Sequence, residues 1–261
     1  MSAAAEQIAA CAAKLAEAER TRVPVPPLTR EYPELTVDDA YAIQLVNVNR
    51  LLAQGAAISG KKIGLTSPGM QQLLGVDEPD YGHLFRFMDC ACDVPADELI
   101  QPKIEAEIAF ILGSDLPERD VGAQDVLDCT AYVSAAFEIV DSRVADWKIK
   151  LADTISDNAS SGRYVLGSKR VSPKSLDLAA VTMSVEQTGR GVVSKGVGSA
   201  VMGDPAVSVA WLANCLRGYG VSLKKGEVIL SGAFAAALPV AKGDAFCATF
   251  STLGTVTARF I

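Results

Sequence analysis

The sequence predicts an α+β protein, with a mostly helical N-terminal part over residues 1–84 and a β-rich body over residues 85–261. Three observations carry this. Up to Gly55 the apolar residues recur at helical spacing. From Phe85 onward they recur mainly at period two, in segments bounded by glycine-containing turns. No internal repeat or low-complexity linker interrupts the chain, so its 261 residues suffice for one large core or two small ones.

Residues 1–20 read as an amphipathic helix with Ile8, Ala12, Leu15 and Ala16 on one face, suited to packing or to oligomer formation. Residues 23–27, VPVPP, form a stiff extended connector. Thr36 is placed to cap a second helix, with Asp38 and Asp39 in its first turn and Gly55 closing it. Residues 62–66 read as a short strand with Lys62 on the opposite face from Ile63 and Leu65. A turn at 67–69 and a short helix at 70–74 follow. Residues 75–82, GVDEPDYG, pack three acids, a proline and two glycines into eight positions and predict a loop, either solvated or site-bearing. Beyond it, strands are expected at 105–112, 135–140, 163–166, 182–187, 227–230, 244–250 and 254–260, with helices at 123–131 and 205–219. Residues 188–191, TGRG, give a hairpin signal. The small-residue run 233–238 suits tight packing or a pocket wall.

Bulk properties exclude several function classes. The chain is 49% hydrophobic and 21% charged, which marks a globular protein. Its net charge of −7, without any basic run, argues against nucleic acid and anionic membrane partners. A small anionic substrate would need a local cation or aimed donors. The six cysteines form no CxxC pair and read as reduced thiols of a cytoplasmic protein. The sequence shows no secretory signal and no apolar run of membrane-spanning length. The single histidine, His83, excludes histidine-rich metal sites and leaves acid–base work to carboxylates, lysine, tyrosine or water.

The chemistry centres on residues 104–108, IEAEI. On a strand, Ile104, Ala106 and Ile108 point one way and Glu105 and Glu107 the other. Two neighbouring carboxylates repel, and a hard divalent cation offsets that repulsion; a solvated strand face would carry the same pattern. Glu138, a lone charge in the apolar run AFEIV, would complete an all-oxygen triad suited to Mg²⁺ or Mn²⁺ if it lies on a neighbouring strand. Residues 153–162, DTISDNASSG, read as a turn presenting hydroxyls and backbone donors. There Asn158, Ser160 and Ser161 could hold an anion, or form an ordinary Asx/Ser turn.

Taken together, QPKIEAEIAF, FEIVDSR some thirty residues on, DWK and DTISDNAS resemble the hydratase/decarboxylase branch of the fumarylacetoacetate hydrolase superfamily. The resemblance extends through KKIGLTS and GVDEPDYG upstream and VAWLAN and GEVILSGA downstream, nearly the whole chain. It implies a mixed β-roll of the C-terminal type of that superfamily with a smaller helical N-terminal part. It implies Mg²⁺ or Mn²⁺ held by Glu105, Glu107 and Glu138, chelated by a short 2-hydroxydienoate that is hydrated to 4-hydroxy-2-oxopentanoate or a homologue. The alternative on the same scaffold is decarboxylation of 4-oxalocrotonate, 2-oxo-3-hexenedioate. The acid pair of the 75–82 loop favours hydration, because adding water needs a group to position and deprotonate it. Carried over residue by residue, Lys62 polarises the substrate or shuttles a proton, with its pKa lowered by the neighbouring cation. Asp80, with Asp77 second, activates water, while Ser160 binds the substrate carboxylate and Leu65 contacts the substrate. A C–C hydrolase of the same superfamily is disfavoured by the single histidine, and His83 receives no role. The resemblance further implies a homo-oligomer and a possible complex with a pathway decarboxylase.

Overall fold

The computed structural model describes residues 4–76 and 78–261. Asp77, expected as the second water-activating acid, lies outside the described residues. Three helices open the chain: α1 (Ala5–Thr21), α2 (Leu28–Glu31) and α3 (Val37–Ala53). Helix α1 buries Cys11, Ala12, Leu15 and Ala18. Helix α3 starts at the expected cap, where Thr36 Oγ1 accepts from the Asp39 amide at 3.2 Å and Asp39 accepts from the Thr36 amide at 3.1 Å. At its other end Gly55 turns left-handed, φ 89°, directly after the last turn.

The remaining elements are β1 (Ile58–Gly64), α4 (Pro68–Leu74), β2 (Asp80–Phe85), β3 (Asp89–Cys90), β4 (Asp93–Val94), β5 (Pro102–Leu112), α5 (Ala123–Cys129), β6 (Thr130–Asp141), α6 (Leu151–Ser156), β7 (Ser161–Leu166), β8 (Thr182–Gln187), β9 (Gly191–Val197), α7 (Pro205–Arg217), β10 (Val228–Ala233), β11 (Leu238–Pro239), β12 (Ala245–Phe250) and β13 (Gly254–Phe260). Eight strands form one sheet in the order β2-β1-β10-β5-β6-β7-β3, with β11 added beside β5. A five-stranded sheet runs β4-β13-β12-β8-β9. Pairing is mixed: β1 lies parallel to β10, whereas β5 is antiparallel to both β10 and β6. This is the mixed β architecture with N-terminal helices that the sequence predicts. The split at residue 84 crosses one continuous sheet, because β1 pairs with β10 and β2 with β1.

The two faces of β5 have different fates. Ile104, Ala106, Ile108 and Phe110 enter the main core with Phe246, Phe250 and Phe260 of the smaller sheet. On the other face Ala109 and Ile111 join Leu84, Phe85, Ala136, Tyr164, Leu230 and, from α3, Val48 in a second apolar cluster. Glu105 and Glu107 share that second face, so the carboxylates stand beside a dry floor rather than in open solvent.

Several local expectations shift. Strand β1 ends at Gly64 because Leu65 takes a left-handed φ of 56°, which no extended strand accommodates. The predicted 75–82 loop becomes strand from Asp80 onward, and Asp80, Tyr81 and Gly82 are buried. The cause is nonlocal: β1 offers a sheet edge, and the Tyr81 ring stacks on Tyr41 of α3 at 4.6 Å. The polar run 153–162 holds the end of α6 before its turn, and that turn is buried. Among the described residues no helix is long and apolar enough to cross a membrane.

Candidate active site

Antiparallel pairing of β5 and β6 sets Glu105 directly opposite Glu138, with Glu107 two residues along on the same face. Ligand oxygens of the three carboxylates lie within 4.8 Å of one another. Glu107 and Glu138 are each 1% exposed, and Glu105 is half-buried. The Gly232 amide donates to Glu107 Oε2 at 2.8 Å. Glu107 Oε1 and both oxygens of Glu138 have no hydrogen-bond partner among the described residues. Burial, with the Glu138 charge adding to it, pushes Glu105 up to about 7; Lys62 pulls the other way. Burial likewise raises Glu107 and Glu138. Three converging carboxylates with orphan oxygens, sealed from water on two of the three, fit an oxygen-liganded divalent cation. The Glu105, Glu107 and Glu138 side chains would hold it.

Lys62 reaches this group from β1, three strand positions away from β6 in the sheet order. A flat sheet would separate those strands by roughly 14 Å, so its Nζ arriving 3.3 Å from Glu138 Oε1 requires a curled sheet. The same ammonium donates to the Ala159 carbonyl at 3.0 Å. Burial alone would lower the Lys62 pKa, but the charges of Glu138, Asp80, Glu105 and Glu107 outweigh it and the net direction is upward. Four carboxylates thus act on one ammonium.

Asp80 lies at the start of β2, opposite Gly64 of β1 and two register steps from the Lys62–Gly82 pair. Thr154 Oγ1 donates to Asp80 Oδ2 at 3.4 Å. Its Oδ1 has no hydrogen-bond partner among the described residues and presses on Gly64, where a Cβ would come within 2.2 Å. Burial raises its pKa, with Lys62 opposing. The structure therefore brings Lys62, Asp80, Glu105, Glu107 and Glu138 into one mutually interacting group.

The turn after α6 supplies the last wall. Asn158, Ala159 and Ser160 take left-handed φ values of 56°, 50° and 53° in succession. Such a run is unfavourable for residues with a Cβ and persists only when its surroundings fix it. Here the Asn158 side chain pairs with the β2 backbone: its Nδ2 donates to the His83 carbonyl at 2.9 Å and its Oδ1 accepts from the His83 amide at 2.7 Å. Gly82 leaves room for the Asn158 carbonyl, which a Cβ would approach to 2.3 Å. Asp157 forms a buried ion pair with Arg143, and burial pushes Asp157 up to about 6 against that pull. Both polar atoms of the Asn158 side chain are thus engaged by β2. Ser160 is buried beside the Ala159 carbonyl that holds Lys62, and its Oγ donates to Asp157 at 3.5 Å. Leu65, half-buried in its left-handed conformation, is fixed by Gln71 Nε2 donating to its carbonyl at 2.9 Å. His83 faces Gln44 Oε1 at 3.0 Å; burial, then the Lys61 charge, depresses its pKa to about 3 and keeps the ring neutral.

Sequence reasoning missed Gly232, Thr154 and the Ala159 carbonyl. Gly232 alone left a signal, a glycine ending the apolar run VILSGA. Its φ of 113° and contact with Thr66, 2.3 Å from where a Cβ would stand, are what that signal means.

Comparison with known proteins places the chain in a family. Residues 91–261 match the fumarylacetoacetate (FAA) hydrolase C-terminal family. The chain is 47% identical over 251 residues to a 2-hydroxyhexa-2,4-dienoate hydratase of Comamonas testosteroni, covering 95% of each protein. It is also 47% identical to a 2-keto-4-pentenoate hydratase of Paraburkholderia xenovorans, covering 95% of this chain and 93% of that one. Among solved structures, a 4-oxalocrotonate decarboxylase from Pseudomonas putida G7, complexed with magnesium and adipate, superposes with a TM-score of 0.95 at 36% identity, covering 100% of this chain and 99% of that chain. Matched over more than half its length by the family and over nearly all of it by these relatives, the chain belongs to the fumarylacetoacetate hydrolase family.

Proposed function

We propose that this protein is a divalent-metal-dependent hydro-lyase that hydrates 2-hydroxypenta-2,4-dienoate, or its six-carbon homologue, to the corresponding 4-hydroxy-2-oxo acid. The observation that carries the reading is a largely buried triad of carboxylates with orphan oxygens, against which Lys62, ion-paired with Glu138, and Asp80 are set. The 47% identical hydratases support hydration as the reaction. The decarboxylase of the same fold favours the alternative only at 36% identity. Mg²⁺ or Mn²⁺, when bound by Glu105, Glu107 and Glu138, supplies Lewis-acid stabilisation of negative charge on the 2-oxygen.

The chain's own groups account for the proton movements. The 2-hydroxyl loses its proton and C5 gains one, giving a 2-oxo-3-enoate; Lys62 Nζ, fixed by Glu138 and Ala159, stands to carry that transfer. Water then adds its oxygen to C4, and Asp80 Oδ1, the unpartnered oxygen, accepts the water proton while C3 takes one up. Thr154 holds the other Asp80 oxygen and so aims the free one. The sum is addition of one water. Ser160 and Leu65 remain proposed substrate contacts and Asp77 a second proposed acid. We place the reaction in meta-cleavage breakdown of aromatic or steroid compounds, in a cytoplasmic homo-oligomer able to associate with a pathway decarboxylase.

The test is a paired ultraviolet assay on chelator-stripped protein resupplied with Mg²⁺ or Mn²⁺. Metal-dependent loss of 2-hydroxypenta-2,4-dienoate with formation of 4-hydroxy-2-oxopentanoate is expected. Turnover of 2-oxo-3-hexenedioate alone, with CO₂ release, would establish the decarboxylase instead.

A further inference from the structure

We propose that Lys103, laid on the Trp147 ring, is a substrate-binding residue whose ammonium takes the carboxylate of the anionic substrate at the outer end of the site. The inference rests on the hydratase reading above. Lys103 lies on β5 two residues before Glu105 and therefore on the same face as Glu105 and Glu107. Its Nζ stands 4.1 Å from the centroid of Trp147. Trp147 is itself fixed: its Nε1 donates to the Gln101 carbonyl at 3.0 Å, and left-handed φ values of 58° at Asp146 and 55° at Trp147 turn the chain after β6 back toward β5. A ring face orients a cation without neutralising it. No acid forms an ion pair with Lys103 among the described residues, and the Glu105 charge is the one it feels, whereas the buried cations Lys62 and Arg143 are paired with Glu138 and Asp157.

The direction of opening gives this cation its use. Along this face of β5, Ala109 and Glu107 are buried, while Glu105 and Lys103 are half-buried. Strand β11 borders the same end, pairing Leu238 with Ile104 and Pro239 with Lys103. The site therefore opens toward Lys103, whereas Lys62 and Asp80 lie on its buried side. Hydration changes C4 and C5, so those carbons must face Lys62 and Asp80. The carboxylate at C1, the other end of a short rigid dienoate, is then directed outward, where Lys103 stands. An anion entering a chain of net charge −7 past three carboxylates also needs a positive group at the entrance.

The probe is 2-oxopentanoate, a saturated analogue with the same carboxylate and 2-oxygen but no bond to hydrate. Its binding to the full-length, Mn²⁺-loaded protein is followed by Trp147 fluorescence in a Trp211→Phe background, since the chain has two tryptophans. Lys103→Met is expected to weaken binding roughly 10- to 100-fold, the range for a charge-assisted hydrogen bond, and Lys103→Arg to restore it to within about threefold. Mn²⁺ affinity should stay within about threefold of the parent in both. With the dienoate, Lys103→Met should raise KM by a similar factor and leave kcat within about threefold. Unchanged 2-oxopentanoate binding in Lys103→Met overturns the proposal, as does loss confined to Ser160→Ala, which would place the carboxylate at the buried turn. Lys103-dependent binding of 2-oxopentanoate without turnover of the dienoate would sustain the contact and sink the hydratase reading.

Discussion

Asp80 and His83 lie three residues apart on one buried strand, yet burial gives them opposite consequences. For Asp80 the surroundings leave one oxygen free and a lysine nearby. That arrangement is the ground for proposing Asp80 as the base. Asp80→Asn keeps the shape and removes the basicity. It should lower kcat about 10²- to 10⁴-fold while Mn²⁺ affinity stays within a few-fold, measured by turnover and by metal titration. Retained kcat would remove Asp80 from the mechanism. His83 instead is held neutral, its pKa lowered to about 3 from an ordinary 6.5. Below pH 6.5 the unfolded chain therefore binds a proton that the folded chain refuses. The stability contributed by the neutral ring is complete above pH 6.5 and is lost as pH falls from there toward 3, by about 1.4 kcal/mol per pH unit. Urea unfolding of the parent and of His83→Gln at several pH values checks this. The difference between them should be flat from pH 8 to 6.5 and shift toward the variant below it. A flat difference down to pH 5 would mean the ring is protonated in the fold.

At the level of the strands, what the sequence revealed depended on whether the determining contact was local. Glu105 and Glu107 were legible because period two alone puts them on one face. Glu138 was visible as a charge in an apolar run, but its pairing opposite Glu105 is a fact of β5–β6 register that no single segment contains. Lys62 crosses most of a curled sheet, and the acidic 75–82 segment becomes strand only because β1 and Tyr41 receive it. The turn at Asn158 read as a donor-rich loop because its side-chain pairing with the His83 backbone joins residues 75 positions apart. Strand β10 shows the same limit with a testable edge. The bulge at Gly232 aims one amide at Glu107, in a backbone conformation that favours glycine and against a Thr66 side chain that fills the space a Cβ would need. Gly232→Ala should force the bulge to shift and withdraw that amide. Stability should fall by about 1–3 kcal/mol and Mn²⁺ binding should weaken roughly 10- to 100-fold, read by thermal unfolding and metal titration. Normal metal affinity in a destabilised variant would reduce the bulge to a packing feature.

For the molecule as a whole, the eight-stranded sheet closes around charges that destabilise it. Two of the three triad carboxylates are almost fully buried, three of their four oxygens lack a hydrogen-bond partner among the described residues, with only Glu138 Oε1 of these ion-paired, to Lys62, and burial raises the pKa of all three. Such a group makes the fold less stable than an uncharged equivalent would be, and a cation that binds only the folded state would return the difference. Two expectations follow from one cause. Mg²⁺ at a hundred times its Kd should stabilise the parent by about 2.7 kcal/mol, which for a chain of this size raises Tm by roughly 5–10 °C. Glu107→Gln should lose that increment, and with it the activity, because a ligand is gone. Its metal-free form should nevertheless melt no lower than the metal-free parent. The new amide can keep accepting from Gly232 and can donate to Glu138 or Glu105, so the substitution exchanges a like-charge contact for a hydrogen bond. Thermal melts of both proteins with chelator and with Mg²⁺ give all four values. A metal-free Glu107→Gln that melts well below its parent would show that the triad is already compensated without a cation, and would remove the main physical reason for assigning one to this site.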